Sequence, residues 1–106
     1  MTAEQLQEVA FQIILESGDS RNLVHESFQL MRESKFEETN AKLEEANDAI
    51  LRAHQAQSGL LHSFAGGTKI EVDVLLVHSQ DHLMTTMTLR EVAVEMLHLY
   101  KKMANN

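Results

Sequence analysis

The polar residues most able to do chemistry lie close together, between positions 78 and 85. His78 and His82 are four residues apart, so on a helix their rings lie one turn apart on the same face. Asp81 stands beside them, and Thr85 follows His82 three residues later. Apolar residues flank the group on both sides at helical spacing, so these polar side chains need partners if the face is buried.

Three interpretations fit this group. In the first, it is a buried polar network that sets the register between helices, as single polar residues do in coiled coils. In the second, the two histidines chelate a transition metal, although Ser79 stands where a zinc-protease helix has Glu, and a third ligand would have to come from His54, His62 or another subunit. In the third, a neutral His78 accepts a phosphoryl group while nearby polar groups orient its ring. Residue types alone leave all three open.

A first helix is predicted to begin at Thr2, because Thr2 and Gln5 fit a capping box in which each side chain bonds the other's backbone N–H. Apolar residues then recur at helical spacing from Leu6 to Met31. The Gly18-Asp19-Ser20 stretch interrupts them, but the pattern resumes in phase, and a glycine within a helix costs only about 1 kcal/mol against alanine. We therefore expect one continuous helix here.

Two further helices are predicted. The second runs from Phe36 to the Ala65-Gly66-Gly67 stretch, where glycine closes a helix end in the left-handed conformation. The stretch from Thr68 to Asp73 is predicted as a loop, and Asp73 as the cap of a third helix that runs to about Met103. Zero Pro and only four Gly favour long helices, and short connections make neighbouring helices antiparallel. The predicted fold class is all-α, an antiparallel three-helix bundle.

The third helix is predicted to pack through one broad face that includes the polar group. This face runs through Val74, Val77, His78, Asp81, His82, Thr85, Leu89, Val92, Met96, Leu99 and Met103. Further apolar residues lie off the main stripes, whereas a three-helix bundle needs only one buried stripe per helix. The surplus favours self-association; the alternative is that scattered exposed apolar residues are ordinary.

Composition narrows the class of protein. The chain has 106 residues, the size of one domain. Its net charge of −7 argues against nucleic-acid binding, which needs cations. No apolar run approaches the ~20 residues of a membrane span, and no basic and apolar leader begins the chain, so we expect no membrane insertion and a cytoplasmic location. With no Cys there is no thiolate metal ligand and no cysteine nucleophile.

The segment from Val74 to Thr85 resembles the active-site segment of the lactose/cellobiose family of phosphotransferase-system (PTS) enzyme IIA proteins, which carries the string V/M-H-x-Q-D-H-L-M-T. Three flanking elements extend the resemblance. Ala53 to Leu60 resembles the family's A-H-x-x-Q-T stretch, with Ser58 in place of Thr. Gly18 to Arg21 resembles its G-D/N-x-R element, and Leu97 to Tyr100 its closing I-x-L-Y. Together these elements cover nearly the whole chain in the expected order.

The resemblance implies that residues 1–106 form a single IIA domain of the lactose/cellobiose type, assembled as a cytoplasmic homotrimer with nine helices. It implies that His78 accepts a phosphoryl group from phospho-HPr and passes it to a cysteine of the cognate IIB protein or domain. The transported sugar would be a β-linked disaccharide, with cellobiose preferred over lactose and chitobiose. His82 and Gln80 would support the site. Asp81 would face the trimer axis, where three copies surround a divalent cation, expected to be Mg²⁺.

The function, the acidic charge and two residues of the second helix each have an alternative interpretation. A helical-bundle scaffold that assembles without phosphotransfer is the alternative function. The acidic charge would steer a donor with a basic surface, but it equally serves solubility. His54 and Gln57 share a face of the second helix, and they support either the site or a subunit interface; the sequence does not say which.

Overall fold

The computed structural model describes residues 1–105, which form three α-helices and no strand. Helix α1 spans Ala3–Arg32, α2 spans Phe36–Ala65 and α3 spans Val74–Ala104. The bundle is elongated, with extents of 56 × 20 × 19 Å. The predicted all-α class and the three long helices are therefore confirmed. No helix within residues 1–105 has the combination of length and apolar character that a membrane span requires.

The starts of α1 and α3 are fixed by the side chains that the sequence indicated, whereas α2 follows Lys35 without a side-chain cap. The Thr2 backbone N–H donates to Gln5 Oε1 at 2.9 Å, and the Gln5 N–H donates to Thr2 Oγ1 at 3.1 Å. The Leu76 N–H donates to Asp73 Oδ1 at 2.8 Å, which caps α3. These bonds satisfy backbone donors that have no partner inside the helix. Helix α1 continues without a break through Gly18, as predicted.

Two connections reverse the chain. Residues 33–35 join α1 to α2, and Ser34 adopts a positive φ of 60° there. At the end of α2, Gly66 is the C-cap and Gly67 has a φ of 99°, in the left-handed region that glycine tolerates best. Residues 68–73 carry no regular structure and lead into α3, which confirms the predicted loop.

Three apolar clusters along the bundle establish the helix directions. They consist of Leu6, Leu60 and Leu76; of Ile13, Ile50, Ala53 and Leu83; and of Val24, Met31, Leu43, Ala46, Ala93 and Leu97. From one cluster to the next the residue numbers rise in α1 and α3 and fall in α2. Helix α2 is therefore antiparallel to its two neighbours, as predicted, and α1 and α3 run parallel.

The face of α3 that packs within the chain is not the predicted one. The buried residues of α3 are Leu76, Ser79, Leu83, Thr86, Ala93 and Leu97. The predicted broad face is instead largely open: Val74 is 86% exposed, and His78 and Asp81 are exposed as well. The prediction was wrong because α3 carries apolar residues on two faces, and helical spacing does not say which face meets α1 and α2. Small residues on the buried face allow closer helix packing than larger side chains would.

Alanine substitutions at two glycines should have opposite effects on the free energy of unfolding. Gly59 lies inside α2 with open space around it, so Gly59→Ala should stabilise the fold by about 0.5–1 kcal/mol through helix propensity. Gly67 has a φ of 99°, so Gly67→Ala should cost about 1 kcal/mol. Urea unfolding at one fixed protein concentration measures both. A destabilising Gly59→Ala would contradict the open surface at that point of α2.

Candidate functional site

The two histidines lie on the same face of α3, as their spacing predicted. Their ring centroids are 5.8 Å apart and the ring planes differ by 9°, so the imidazoles stack. The outer ring, His78, is exposed, while His82 is half-buried. Within one chain His78 therefore does not belong to a buried network that sets helix register, and its ring is open to a reacting partner.

His82 lies against α1 and is biased toward its neutral form. A Cβ at Gly18 would lie 3.7 Å from His82 Nε2, so the ring faces the α1 backbone at that glycine. Burial is the main factor that lowers the pKa of His82, followed by the positive charge of Arg21 and then by His78. The Asp81 carboxylate opposes these effects. A neutral imidazole at this position has one nitrogen that donates and one that accepts a hydrogen bond.

Arg21 ties α1 to α3 beside this ring. Its Nη2 donates to Thr85 Oγ1 at 2.6 Å, and its Nε donates to Thr86 Oγ1 at 3.1 Å. Thr85 Oγ1 in turn donates to the Asp81 carbonyl oxygen at 2.8 Å. The guanidinium is thereby held in place, and it brings a fixed positive charge close to His82.

Gln80 points to the other side of α3. Residues two apart on a helix do not face each other, and the Gln80 side chain lies toward α2, where Gln57 Nε2 donates to Gln80 Oε1 at 2.6 Å. The structure therefore does not bring Gln80 to His78 within one chain. His54 lies elsewhere on α2, exposed, with its Nδ1 3.4 Å from Ser58 Oγ.

Asp81 lies on an exposed stripe of α3 that faces away from α1 and α2. This stripe, called here the outer stripe, also holds six exposed apolar residues and two exposed polar ones: Val74, Val77, Met84, Val92, Leu99 and Met103, and Thr88 and Glu95. A carboxylate suits Mg²⁺, which prefers oxygen ligands and keeps several waters. One chain supplies only one such carboxylate here, so a cation at Asp81 would need carboxylates from further copies.

A transition-metal site within the single chain is not supported. Among residues 1–105, no group of three or more His, Cys, Asp or Glu side chains is placed to hold a metal ion. His54 and His62 thus do not join His78 and His82 as ligands. The pair of stacked histidines alone falls short of the three protein ligands that a catalytic zinc needs.

Two residues of this region had no assigned role from the sequence. Gln57 was recognisable as a polar residue within the apolar stripe of α2, but its bond to Gln80 depends on how α2 and α3 pack. Arg21 stood only within an element of the family resemblance. Arg21 comes one residue after the buried Ser20 and three before the buried Val24. This position places the aliphatic part of its side chain close to the core, and it is the feature that could have indicated a role.

The geometry leaves an exposed imidazole, a neutral second imidazole stacked on it and an immobilised guanidinium nearby. An exposed, unprotonated ring nitrogen is a nucleophile, and hydrogen-bond donors close to it suit the oxygens of a transferred phosphoryl group. Of the three interpretations of the sequence, group transfer through His78 fits this arrangement best.

Known proteins share both this sequence and this fold. A family model described as the PTS system, lactose/cellobiose specific IIA subunit, matches residues 8–101. The lichenan-specific phosphotransferase enzyme IIA component of Bacillus subtilis is 38% identical, over 93% of this chain and 90% of its own length. The structure of PtcA from S. mutans is similar with a TM-score of 0.94 at 58% identity, covering 95% of this chain and 99% of that chain.

A further solved structure links the fold to a protein partner. It is the IIA(chitobiose)–HPr complex of the N,N'-diacetylchitobiose branch of the Escherichia coli phosphotransferase system, with a TM-score of 0.81 at 33% identity, covering 93% of this chain and 96% of that chain. The family model and these relatives span nearly all of the described residues. The chain therefore belongs to the lactose/cellobiose-specific IIA family of the sugar phosphotransferase system, whose members are phosphotransferases.

Proposed function

We propose that this protein is a phosphoryl carrier that uses His78 as its acceptor residue. It takes the phosphoryl group from phospho-HPr and passes it to a cysteine of the cognate IIB protein or domain. The proposed cargo of the transport system is a β-linked disaccharide, with cellobiose as the first candidate and lactose or chitobiose as alternatives. Both transfers take place in the cytoplasm.

The transfer is a displacement at phosphorus. The lone pair of an unprotonated His78 ring nitrogen forms the new N–P bond, while the bond between phosphorus and the donor imidazole breaks and its electron pair stays on the donor ring. In the second transfer a cysteine thiolate of IIB attacks phosphorus, and the electron pair of the N–P bond returns to His78. Charge accumulates on the phosphoryl oxygens in both steps, so nearby hydrogen-bond donors and cations favour transfer.

The observation that carries this proposal is the exposed His78 ring stacked on His82 at 5.8 Å. Its accessibility suits a residue that must meet two different proteins in turn. With its pKa lowered by burial, His82 still has one ring N–H that can donate a hydrogen bond beside His78. Arg21, bonded to Thr85, supplies positive charge on the same side of α3.

The proposed assembly is a homotrimer around the outer stripe of α3. A mostly apolar stripe that runs from Val74 to Met103 is unusual on a monomer surface and favours burial against other copies. Three copies is the number that the family resemblance implies. Asp81 lies within this stripe, so three carboxylates would converge on the axis, and a shared Mg²⁺ would offset their repulsion.

A cyclic assembly also gives Gln80 a role. With about 100° per residue, His78 and Gln80 lie on opposite flanks of the Asp81 position on α3. In a ring of identical subunits, one flank of each subunit meets the opposite flank of its neighbour. We therefore assign Gln80 to the His78 of a neighbouring subunit, where its amide would donate to the phosphoryl oxygens.

The partner proposal follows from relatives and from charge. The chitobiose IIA protein of Escherichia coli forms a complex with HPr, and this chain is 33% identical to it. A net charge of −7 would speed the encounter with a donor that presents a basic surface. The IIB acceptor is proposed on the family resemblance.

Replacement of His78 tests the acceptor. His78→Ala should keep the fold, because the side chain is exposed, and should abolish phosphorylation. Intact-protein mass spectrometry after incubation with phosphoenolpyruvate, enzyme I and HPr measures the added phosphoryl group, which should be acid-labile and absent without HPr. His62→Ala, which removes another exposed histidine, is the control and should be phosphorylated normally. A phosphorylated His78→Ala would exclude His78 as the acceptor.

Replacement of His82 tests the supporting ring. His82→Ala should slow transfer from phospho-HPr by about tenfold or more, because a positioned hydrogen-bond donor beside the phosphoryl oxygens is lost. The KM for phospho-HPr should change little, since His82 is half-buried behind His78. Rapid-quench kinetics with saturating donor separates the two quantities. Equal rates in wild type and variant would remove His82 from the site.

Replacement of Asp81 tests the assembly and its cation. Asp81→Leu should keep or strengthen the trimer, because it removes three like charges from a mostly apolar stripe. Sedimentation should give about three times the 12.0 kDa chain mass for both proteins, and the melting temperature of the variant should no longer respond to EDTA. Asp48→Leu, at an exposed position of α2, is the control. A monomeric Asp81→Leu would instead indicate that the carboxylate and its cation hold the subunits together.

A further inference from the structure

Gln57 is a buried amide in the apolar stripe of α2. Its exposed fraction is 8%, and Ala53 and Leu60, which precede and follow it on the stripe, are buried too. Transfer of an amide from water to such surroundings is unfavourable unless it finds a hydrogen-bond partner. Leucine or methionine would fill the same position without that cost, so the amide needs an explanation.

The partner of this amide differs from the partners of the buried serines. Buried serines such as Ser20 and Ser27 donate to backbone carbonyl oxygens, of Ala46 and Val24 respectively. Gln57 instead donates from Nε2 to the side-chain oxygen of another residue, Gln80 Oε1, at 2.6 Å. Its bond therefore fixes the orientation of a side chain on α3 rather than only joining two backbones.

The direction of this bond determines which end of the Gln80 amide stays available. The oxygen accepts from Gln57, and Nε2 lies 3.4 Å from Ser79 Oγ, a weak contact that leaves its second N–H without a partner in these bonds. An N–H group attracts phosphoryl oxygens. The reversed amide would present a carbonyl oxygen instead, which repels them.

We propose that Gln57 is a positioning residue for phosphoryl transfer: it holds the Gln80 amide so that its second N–H, the one not directed at Ser79, faces the phosphoryl site. This inference rests on the proposed function, in which His78 carries the phosphoryl group and Gln80 serves the His78 of a neighbouring subunit. Gln57 acts only through Gln80 and does not itself touch the phosphoryl group.

A double-mutant cycle tests the connection. Gln57→Met keeps length and volume but removes the donor, and it should slow transfer from phospho-HPr at saturating donor by about tenfold, with KM unchanged. Gln80→Met should slow transfer at least as much. The variant with both changes should be no slower than Gln80→Met, because Gln57 has nothing left to position. Gln55→Met, at an exposed position of the same helix, is the matched control and should transfer at the wild-type rate.

Two results of this cycle would overturn the inference. One is a folded Gln57→Met protein that transfers at the wild-type rate, and the other is a double variant whose loss is the product of the two single losses. If Gln57→Met does not fold, Gln57→Leu replaces it. Leucine fills the position and cannot donate, so this change should also slow transfer, and a wild-type rate would have the same contrary meaning.

Mixed assemblies separate positioning from a general loss of structure. Subunits with Gln57→Met and intact His78 are combined with an excess of His78→Ala subunits, whose Gln57 is intact. Each reactive His78 then faces the Gln80 of a neighbour that has its Gln57, so transfer should return to the wild-type rate. A purely structural defect stays with its own chain and would leave transfer slow.

Phosphorylation of the wild type and of the single variants distinguishes a failure of this inference from a failure of the proposed function. Wild-type protein that takes up no phosphoryl group, or a phosphorylated His78→Ala, would contradict the carrier function itself. Wild-type protein phosphorylated on His78 together with an unaffected Gln57→Met would contradict only the role of Gln57.

Discussion

Helix α3 has two faces rich in apolar residues, one of which packs within the chain, and the positions of the candidate site residues follow from this. One face, from Leu76 to Leu97, is buried against α1 and α2, while the opposite face carries the outer stripe with Asp81. The flanks between these faces are the only places left for side chains that must be both supported by the fold and reachable. The histidines occupy the flank beside α1, and Gln80 occupies the flank beside α2.

The support for each flank comes from a different helix. On the α1 side, Gly18 gives room for the His82 ring, and Arg21 bonds the hydroxyl groups of Thr85 and Thr86. On the α2 side, Gln57 bonds Gln80. Because all of these groups stand on long helices rather than on loops, little conformational freedom has to be lost when a partner binds. This suits a carrier that meets a donor and an acceptor in turn with one surface.

A single subunit holds only part of the proposed site, because it has one Asp81 carboxylate and its Gln80 does not reach its own His78. A lone Asp81 carboxylate gains little by itself, and the apolar residues of the outer stripe are exposed in the single chain. Both features become favourable when identical stripes pack together, since apolar surface is removed from water and the carboxylates share a cation. Assembly and site are thus coupled in the proposed function: the same contact that buries the stripe brings Gln80 to a neighbouring His78.

The sequence by itself determined the elements and the local chemistry. The capping residues Thr2 and Asp73, the continuous helix across Gly18 and the left-handed Gly67 all follow from short-range rules, because they depend on backbone donors and φ angles within a few residues. The shared face of His78 and His82 follows from their spacing of four.

Only the tertiary structure decided which face of α3 enters the bundle, and with it which polar groups are exposed. Two apolar stripes on one helix have the same periodicity, so the choice between them depends on the shapes of α1 and α2, which no pattern within α3 contains. The bonds from Arg21 to Thr85 and from Gln57 to Gln80 join residues on different helices. Their existence is a property of how the helices pack, since residues far apart in the chain meet only once the bundle has formed.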